Sequence, residues 1–364
     1  MGHGLHDGSC DECREGSACG DAIMVEIREQ IPEGEWRRFL DSCSDATLYH
    51  TPEWKIFLEK TFDYRPHYLF ATDESGQLTG MLPLFEVKSR LTGNRLCSVP
   101  FAHYCGPIGD VEAVHALLDR TLSSFDPSET SFIEVRDEVN HDKFELCNSF
   151  STFILDLSIG PDGIWTNLES NVRRGVRKSQ KLGVEVSVTQ NTEDLKSFFE
   201  LNCITKRNIG VPAHPWRFFR NLFEYLGDYE QLFLAKYQGE IIGGGIREYY
   251  GSTVLAGYAA SNPVYAKCNP FNAINWASIV DACQKGYTSY DLGRVSYDNE
   301  GLQFFKRRWG TIEKRLFYSY FPRDPASLAN NRTGKKYKIA TRVIQKMPMP
   351  LHKAFSNRVF GHFG

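Results

Sequence analysis

No run of 18 apolar residues occurs in the 364-residue chain, so no helix is expected to span a membrane. The N-terminus is acidic and cysteine-containing and lacks the apolar stretch of a signal peptide. Ten cysteines without such a signal point to a reducing compartment and mostly buried thiols. The phosphate loop Gly-x4-Gly-Lys-Ser/Thr is missing, as are Gly-x-Ser-x-Gly, His-Glu-x2-His and Gly-x-Gly-x2-Gly. The ten histidines form no recognisable metal cluster. These absences weigh against an ATPase, a serine hydrolase, a zinc protease and a dinucleotide enzyme. Net charge is scarce too, only −3, and with 41% hydrophobic residues this excludes a disordered chain. Aromatic residues are plentiful: 25 Phe and 17 Tyr allow a large core and aromatic-lined clefts.

The small net charge hides an acidic head and a basic tail. Residues 1–35 carry nine acidic and two basic side chains, whereas residues 325–364 carry eight Lys/Arg and no Asp or Glu. Residues 1–21 are Gly-rich and polar and are expected to be disordered. Cys10, Cys13 and Cys19 lie there with His3 and His6, but no second cysteine pair sits at finger spacing, so no metal is expected. The tail mixes cations with Met347, Met349, Leu351, Phe355, Phe360 and Phe363. That mixture fits an anionic membrane surface or packing on the fold equally well.

Two units are legible between these ends, at 22–150 and 151–322, with 323–364 as a basic tail. In the first, Thr51-Pro52 caps a helix, and an Asp-Glu-Ser-Gly turn joins strands at Tyr68–Thr72 and Leu78–Val87. The second opens with Ile164, Leu168, Val172 and Val176 at four-residue spacing, the buried face of one helix. Arg173, Arg174, Arg177, Lys178 and Lys181 fill its other face, either solvated or contacting phosphates. Gln231–Tyr237, Ile241–Glu248 and Thr253–Ala260 read as a three-strand meander. Pro270–Lys285 reads as a helix, Ser289–Leu292 as a strand, Asn299–Arg307 as a short helix and Ile312–Tyr320 as the last strand. Gly243-Gly244-Gly245 lies inside a strand, where it admits another backbone or a ligand closely. The class is α+β, with mixed, mostly antiparallel sheets flanked by helices.

The chemistry concentrates at Tyr290-Asp291-Leu292-Gly293-Arg294 and Asn299-Glu300-Gly301-Leu302, followed by Phe304-Phe305-Lys306-Arg307-Arg308-Trp309-Gly310. A strand ends at a Gly-Arg turn, and a short helix presents Lys306 between aromatic side chains. Attack of an amine on an ester or thioester builds an oxyanion, which a fixed, half-desolvated ammonium stabilises. Alternatively, Lys306 is a surface lysine whose stem covers the aromatics. Arg294 either binds a phosphate or carboxylate bidentately or pairs with Asp291 or Glu300. Asn299 is placed to cap the Lys306 helix. Asp291 either orients an amine or Arg294, or is structural at a strand end. Tyr258 and Tyr104 line a cleft or lie in the core.

These residues resemble the FemABX-like peptidoglycan aminoacyltransferases and their wider relatives in the GNAT acyltransferase superfamily. Supporting pieces are Gly257-Tyr258-Ala259-Ala260, Asn269-Pro270-Phe271-Asn272, the basic run Asn171–Lys178, Thr51-Pro52-x-Trp54 and Pro100-Phe101-x3-Cys105-Gly106-Pro107. The match spans about residues 45–322 and is most specific at 290–310. The resemblance implies two GNAT-like domains in tandem and transfer of an acyl or aminoacyl group to an amine. It gives the Phe305-Lys306 lysine the charge-stabilising role and places Trp54 near the acceptor pocket, unless Trp54 is a core residue.

CoA enzymes of this superfamily hold the pyrophosphate on a Gly-rich turn at a helix N-terminus. At the matching place the chain has Lys267-Cys268-Asn269-Pro270-Phe271-Asn272, without glycine. That disfavours acyl-CoA and favours aminoacyl-tRNA as the activated donor, with no resident cofactor. Arg174 and Arg177 would then face a tRNA or a sugar diphosphate. The acceptor expected is a cell-envelope precursor, a peptidoglycan-type peptide or a lipid- or nucleotide-linked amino sugar. The alternatives are an acyl-CoA-dependent polysaccharide acetyltransferase and a non-catalytic module binding anionic glycolipid or RNA. The expected location is the cytoplasm, with peripheral contact at the inner membrane face through the 325–364 tail.

Overall fold

The computed structural model describes residues 25–322 and 335–364. Cys10, Cys13 and Cys19 therefore lie outside the described residues. The first part of the chain runs β1 (Glu26–Arg28), α1 (Glu33–Ser42), α2 (Pro52–Phe62), β2 (Arg65–Thr72), β3 (Leu78–Val87), β4 (Arg95–Cys97), β5 (Ile108–Gly109), α3 (Val111–Ser123), β6 (Phe132–Val135) and β7 (Glu145–Asp156). The second part runs α4 (Gly160–Asn167), α5 (Ser170–Lys181), β8 (Glu185–Thr189), α6 (Thr192–Ile209), α7 (Trp216–Leu226), β9 (Glu230–Tyr237), β10 (Glu240–Tyr250), β11 (Thr253–Ser261), α8 (Pro270–Gln284), β12 (Ser289–Asp291), β13 (Val295–Ser296), α9 (Glu300–Arg307) and β14 (Ile312–Phe321). Two helices close it, α10 (Lys335–Lys346) and α11 (Met349–Val359).

Among the described residues, fourteen strands form one sheet, ordered β1-β2-β3-β4-β6-β14-β7-β12-β11-β10-β9-β8, with β5 on β3 and β13 on β7. Its two ends repeat one pattern. Antiparallel β2-β3-β4 is followed by β6 parallel to β4, with α3 between them in sequence. Antiparallel β9-β10-β11 is followed by β12 parallel to β11, with α8 between them. Each half lends its next strand to the other: β7 pairs with β12, β14 pairs with β6, and β7 and β14 join antiparallel at the centre. Helices flank this large, mostly antiparallel sheet.

Sequence chemistry explains the packing. Thr51 Oγ1 accepts from the Trp54 N–H and Pro52 occupies N1, so α2 starts where a Thr-Pro pair should start a helix. That helix buries Trp54, Phe57 and Leu58 against α7 and the first half of the sheet. The glycine triplet brings helices close to β10. A Cβ at Gly243 would lie 2.8 Å from Pro270 of α8, and one at Gly244 2.6 Å from Phe198 of α6.

The helix expected over 164–181 is two helices. Leu168 is extended (φ −60°, ψ 144°) and Glu169 opens the second as its N-cap. Ile164, Leu168, Val172 and Val176 all remain buried in one cluster, so the apolar spacing survived the break. Arg173 explains it: its guanidinium donates to the carbonyls of Trp165, Thr166 and Leu168, satisfying the open end of α4. One of the five basic residues is thus structural.

The tail reaches both halves. Lys353 pairs with Glu200 of α6 (2.6 Å), and Ser356 Oγ accepts from the Ala213 N–H (3.0 Å). Beyond α11, Phe360 stacks on Phe101 (5.0 Å), and Tyr64 and Arg95 donate to the carbonyls of Gly361 and Gly364.

Candidate active site

The parallel pair β11–β12 is short. Thr253, Val254 and Leu255 face Ser289, Tyr290 and Asp291, and the chain then turns away through Leu292-Gly293-Arg294. The rest of β11 continues along β10 as far as Ser261 without that neighbour. Ala256, Gly257 and Tyr258 are consequently half-buried although they lie in the middle of the sheet. The two strands part there. Gly293 makes the departure possible: its φ is +83°, and a Cβ would lie 3.2 Å from the Ala256 carbonyl oxygen and 3.1 Å from His103.

Lys306 enters this opening from α9. Asn299 caps that helix, its Oδ1 accepting from the Leu302 N–H (3.2 Å). The lysine is only 6% exposed. Its ammonium donates to the Gly293 carbonyl and, at 3.4 Å, to the Arg294 carbonyl, and lies 5.8 Å from the centre of the Phe153 ring. Burial pulls its pKa down to about 8; the Asp291 carboxylate holds it up and the Arg294 guanidinium presses it down. Phe305 packs edge-on to the fully buried Trp309 (6.3 Å) and so braces the helix.

Asp291 is completely buried at the end of β12. It accepts from Thr152 Oγ1, from the Gly293 N–H (2.6 Å) and from the Tyr104 hydroxyl (3.1 Å). Burial raises its pKa, and those donors together with Lys306 oppose the rise. Arg294 pairs with neither Asp291 nor Glu300. It donates to the Tyr318 hydroxyl and lies 4.6 Å over Phe150. Glu300 is exposed in the first turn of α9, away from this cluster.

Other predicted residues divide. Tyr104 belongs to the cluster through Asp291. Tyr258 lies on β11 beyond the point where the strands part, edge-on to His214 (5.2 Å) and Phe218 (5.5 Å). Trp54 is fully buried between Tyr49 (4.6 Å) and Phe57 (5.3 Å), which makes it a core residue. Arg174 and Arg177 are exposed on α5, Arg177 lying 5.4 Å over Trp165. Helix α5 packs on the start of α8: a Cβ at Gly175 would lie 2.8 Å from Asn272. The basic face thus stands beside the glycine-free 267–272 segment, where Asn269 adopts φ +53° before Pro270.

Sequence reading missed several residues that the fold brings here. Arg247 is fully buried, donating to the Tyr290 hydroxyl (2.6 Å), Asn275 Oδ1 (2.8 Å) and Ser278 Oγ (3.1 Å), and so ties β10 to β12 and α8. Glu248 accepts from the Tyr49 hydroxyl (3.2 Å), and Glu230 stands opposite it in the β9–β10 ladder. The available signal was Arg-Glu inside an otherwise apolar strand. Among the described residues, no group of three or more His, Cys, Asp or Glu can hold a metal ion, and no helix is long and apolar enough to cross a membrane.

A protein-family model described as an acetyltransferase (GNAT) domain matches residues 166–307. A search of curated proteins finds no significant match. Among solved structures, one described as FemX is 18% identical with a TM-score of 0.66, over 81% of this chain and 96% of that one. The C-terminal domain of a putative lysylphosphatidylglycerol synthetase from Agrobacterium fabrum is 11% identical with a TM-score of 0.56, over 81% and 95%. A tandem GNAT protein from the clavulanic acid biosynthesis pathway is 11% identical with a TM-score of 0.51, over 81% and 98%. The chain has the fold of the GNAT superfamily of acyltransferases.

Proposed function

We propose that the chain is an N-acyltransferase that moves an aminoacyl group from aminoacyl-tRNA to an amine of a cell-envelope precursor. The single observation that carries this reading is the Lys306 ammonium, buried where β11 and β12 part. A cation fixed in a low-dielectric opening is suited to the oxyanion that forms when an amine attacks an ester carbonyl. The aminoacyl-tRNA donor is supported by the glycine-free 267–272 segment, which cannot form the backbone nest a pyrophosphate needs, and by the exposed Arg174 and Arg177 beside it. In this reading the two sheet ends are tandem GNAT-like units, 22–150 and 151–322.

The deciding experiment incubates the full chain with radiolabelled aminoacyl-tRNA or acetyl-CoA, plus nucleotide- and lipid-linked peptidoglycan precursors. Label is expected on a precursor amine from aminoacyl-tRNA. Transfer from acetyl-CoA alone would replace the donor, and transfer from neither would overturn the reading.

A lipid-linked acceptor needs an enzyme at the bilayer, and the tail supports a peripheral site at its inner face. Ile339 and Val343 lie one turn apart on α10, 61% and 56% exposed. Arg342 and Lys346 are exposed on the same helix, and Leu351 on α11 and Ile209 on α6 add apolar surface nearby. Apolar side chains flanked by cations, without acidic neighbours in the tail, complement an anionic bilayer. The full chain is expected to float with phosphatidylglycerol vesicles and not with phosphatidylcholine vesicles. Ile339→Glu with Val343→Glu should reduce flotation at least about tenfold, given the cost of burying two carboxylates. Equal flotation of both proteins would remove this surface from the account.

A further inference from the structure

A cavity of about 370 Å³ lies where the tail closes on the first half of the chain. Its wall comes from the turn between α2 and β2, the end of β3, the first turn of α7, the end of α11 and the residues just beyond it. That size is at the small end of ordinary ligand pockets. None of its lining residues belongs to the Lys306–Asp291 cluster.

The lining is rich in cations. Arg65, Lys88, Arg217 and Arg358 line it together with His362, against the carboxylates of Asp63 and Glu86. Glu86 matches Lys88 at 3.1 Å. Asp63 has a conformational reason to be there, since it ends α2 in the left-handed region at φ +57°, where Asp is tolerated. The three arginines lack a counter-charge. Among the described residues, none of them makes an ion pair or a side-chain hydrogen bond. Arg217 lies 5.4 Å over the Phe62 ring, which fixes its guanidinium beside the cavity. Guanidinium groups gathered in this way repel one another until an anion reaches them. Four cations against two carboxylates leave two positive charges, the match for one dianion.

The wall is fastened before any ligand binds. The Tyr64 hydroxyl donates to the Gly361 carbonyl, and Thr92 Oγ1 donates to the His362 carbonyl (2.9 Å). A Cβ at Gly361 would lie 3.1 Å from Phe62, so the tail backbone lies directly on the ring that carries Arg217. The tail thus brings Arg358 and His362 to the cations of β2 and α7 and holds them there, which lowers the entropic cost of binding.

We propose that this cavity binds a phosphate monoester, whose dianion Arg65, Arg217 and Arg358 hold. A phosphate monoester carries about two negative charges at neutral pH and offers strong acceptor oxygens to planar guanidinium forks. A carboxylate brings less charge and fewer oxygens. His362 adds a ring N–H donor. The ester can come from a soluble metabolite or from the head group of a lipid such as phosphatidic acid. The lipid has a path to the cavity: Leu351 and Phe355 are exposed on α11, two turns and one turn before Arg358 and on the same side of the helix.

The test titrates the full chain with glycerol 3-phosphate by calorimetry, with glycerol as the uncharged control. Saturable one-to-one binding is expected with the phosphate and none with glycerol. Arg217→Gln with Arg358→Gln should weaken binding at least about tenfold, because charge-assisted hydrogen bonds to the phosphate are lost. Arg65→Gln alone should weaken it in the same direction. All three arginines are exposed, and an unchanged melting temperature checks that the variants fold. Lys178→Gln with Lys181→Gln removes the same charge from α5, outside the cavity, and should leave binding within about twofold. No binding of glycerol 3-phosphate, or equal weakening in the two double variants, would overturn the site. Flotation separates the two sources. On vesicles of equal charge, flotation with phosphatidic acid that exceeds flotation with phosphatidylglycerol, and that the double arginine variant loses, supports the site with a lipid head group as its ligand. Equal flotation on both, with glycerol 3-phosphate binding intact, supports it with a soluble phosphate ester.

Discussion

Lys306→Met is expected to lower kcat by about a hundred- to a thousandfold and to leave KM for donor and acceptor within a few-fold. The methionine side chain nearly fills the same space and still packs on Phe153. What it removes is a positive charge held by two carbonyls in a buried opening. Those carbonyls interact with the ammonium in substrate complex and transition state alike, whereas the oxyanion exists only in the latter, so the loss falls on kcat. Stability should change by no more than about 1–2 kcal/mol. The desolvation of a buried charge disappears, and this offsets the carbonyl left without a donor. Lys306→Arg should not rescue, because a planar guanidinium cannot occupy a site shaped for a compact ammonium.

In the wild type the same group sets the alkaline limb of the rate profile. The charged form is required, its pKa is about 8, and activity falls as pH rises through that value. Stability moves the other way. An ordinary lysine titrates near 10.4, so between about 8 and 10 the unfolded chain holds more protons at this position, and raising the pH favours the folded state. A Met variant with wild-type turnover would remove Lys306 from the chemistry.

The strand–turn–helix around Lys306 was legible because its signals are local. A capping Asn, a Gly where φ must be positive and a lysine among aromatics all fall within twenty residues. The meander at β9–β11 was legible for the same reason, its glycine turns separating three apolar runs. The exchange of β7 and β14 between the sheet's halves was not. Nothing in either strand's alternation says which neighbour it will pair with, since long-range pairing is decided by surfaces that exist only once both halves have formed. The break at Leu168 was hidden because apolar spacing continues unchanged across it, and the residue that stabilises the break, Arg173, reads in sequence as one more surface cation. Glu230 and Glu248 were hidden differently. Each looks like the polar end of a strand, and only the register β9–β10 places them opposite each other beneath a glycine. For Trp54 the sequence left a pocket position and a core position open, and the structure places it in the core against Tyr49.

Asp291 separates the structural and chemical parts of the site. In Asp291→Ala, the Thr152 hydroxyl, the Gly293 N–H and the Tyr104 hydroxyl all lose their acceptor in a fully buried place, and Lys306 loses the carboxylate that attracts it. Removing one member of a buried charged network typically costs about 3–5 kcal/mol, and that loss is the expected shift in denaturant unfolding. Asp291→Asn preserves size and one carbonyl acceptor and should lose only about 1–2 kcal/mol, the cost of a mismatched buried hydrogen bond. Its informative effect is on Lys306. Asp291 is what raises the lysine's pKa against burial and Arg294, so neutralising it makes the ammonium harder to keep. The alkaline limb of the rate profile should therefore move to lower pH in Asp291→Asn, with the rate at acidic pH changed much less. A limb that stays in place, in a variant shown to be folded, would mean that the carboxylate does not hold the proton on Lys306, and the group stabilising the oxyanion would have to be sought elsewhere.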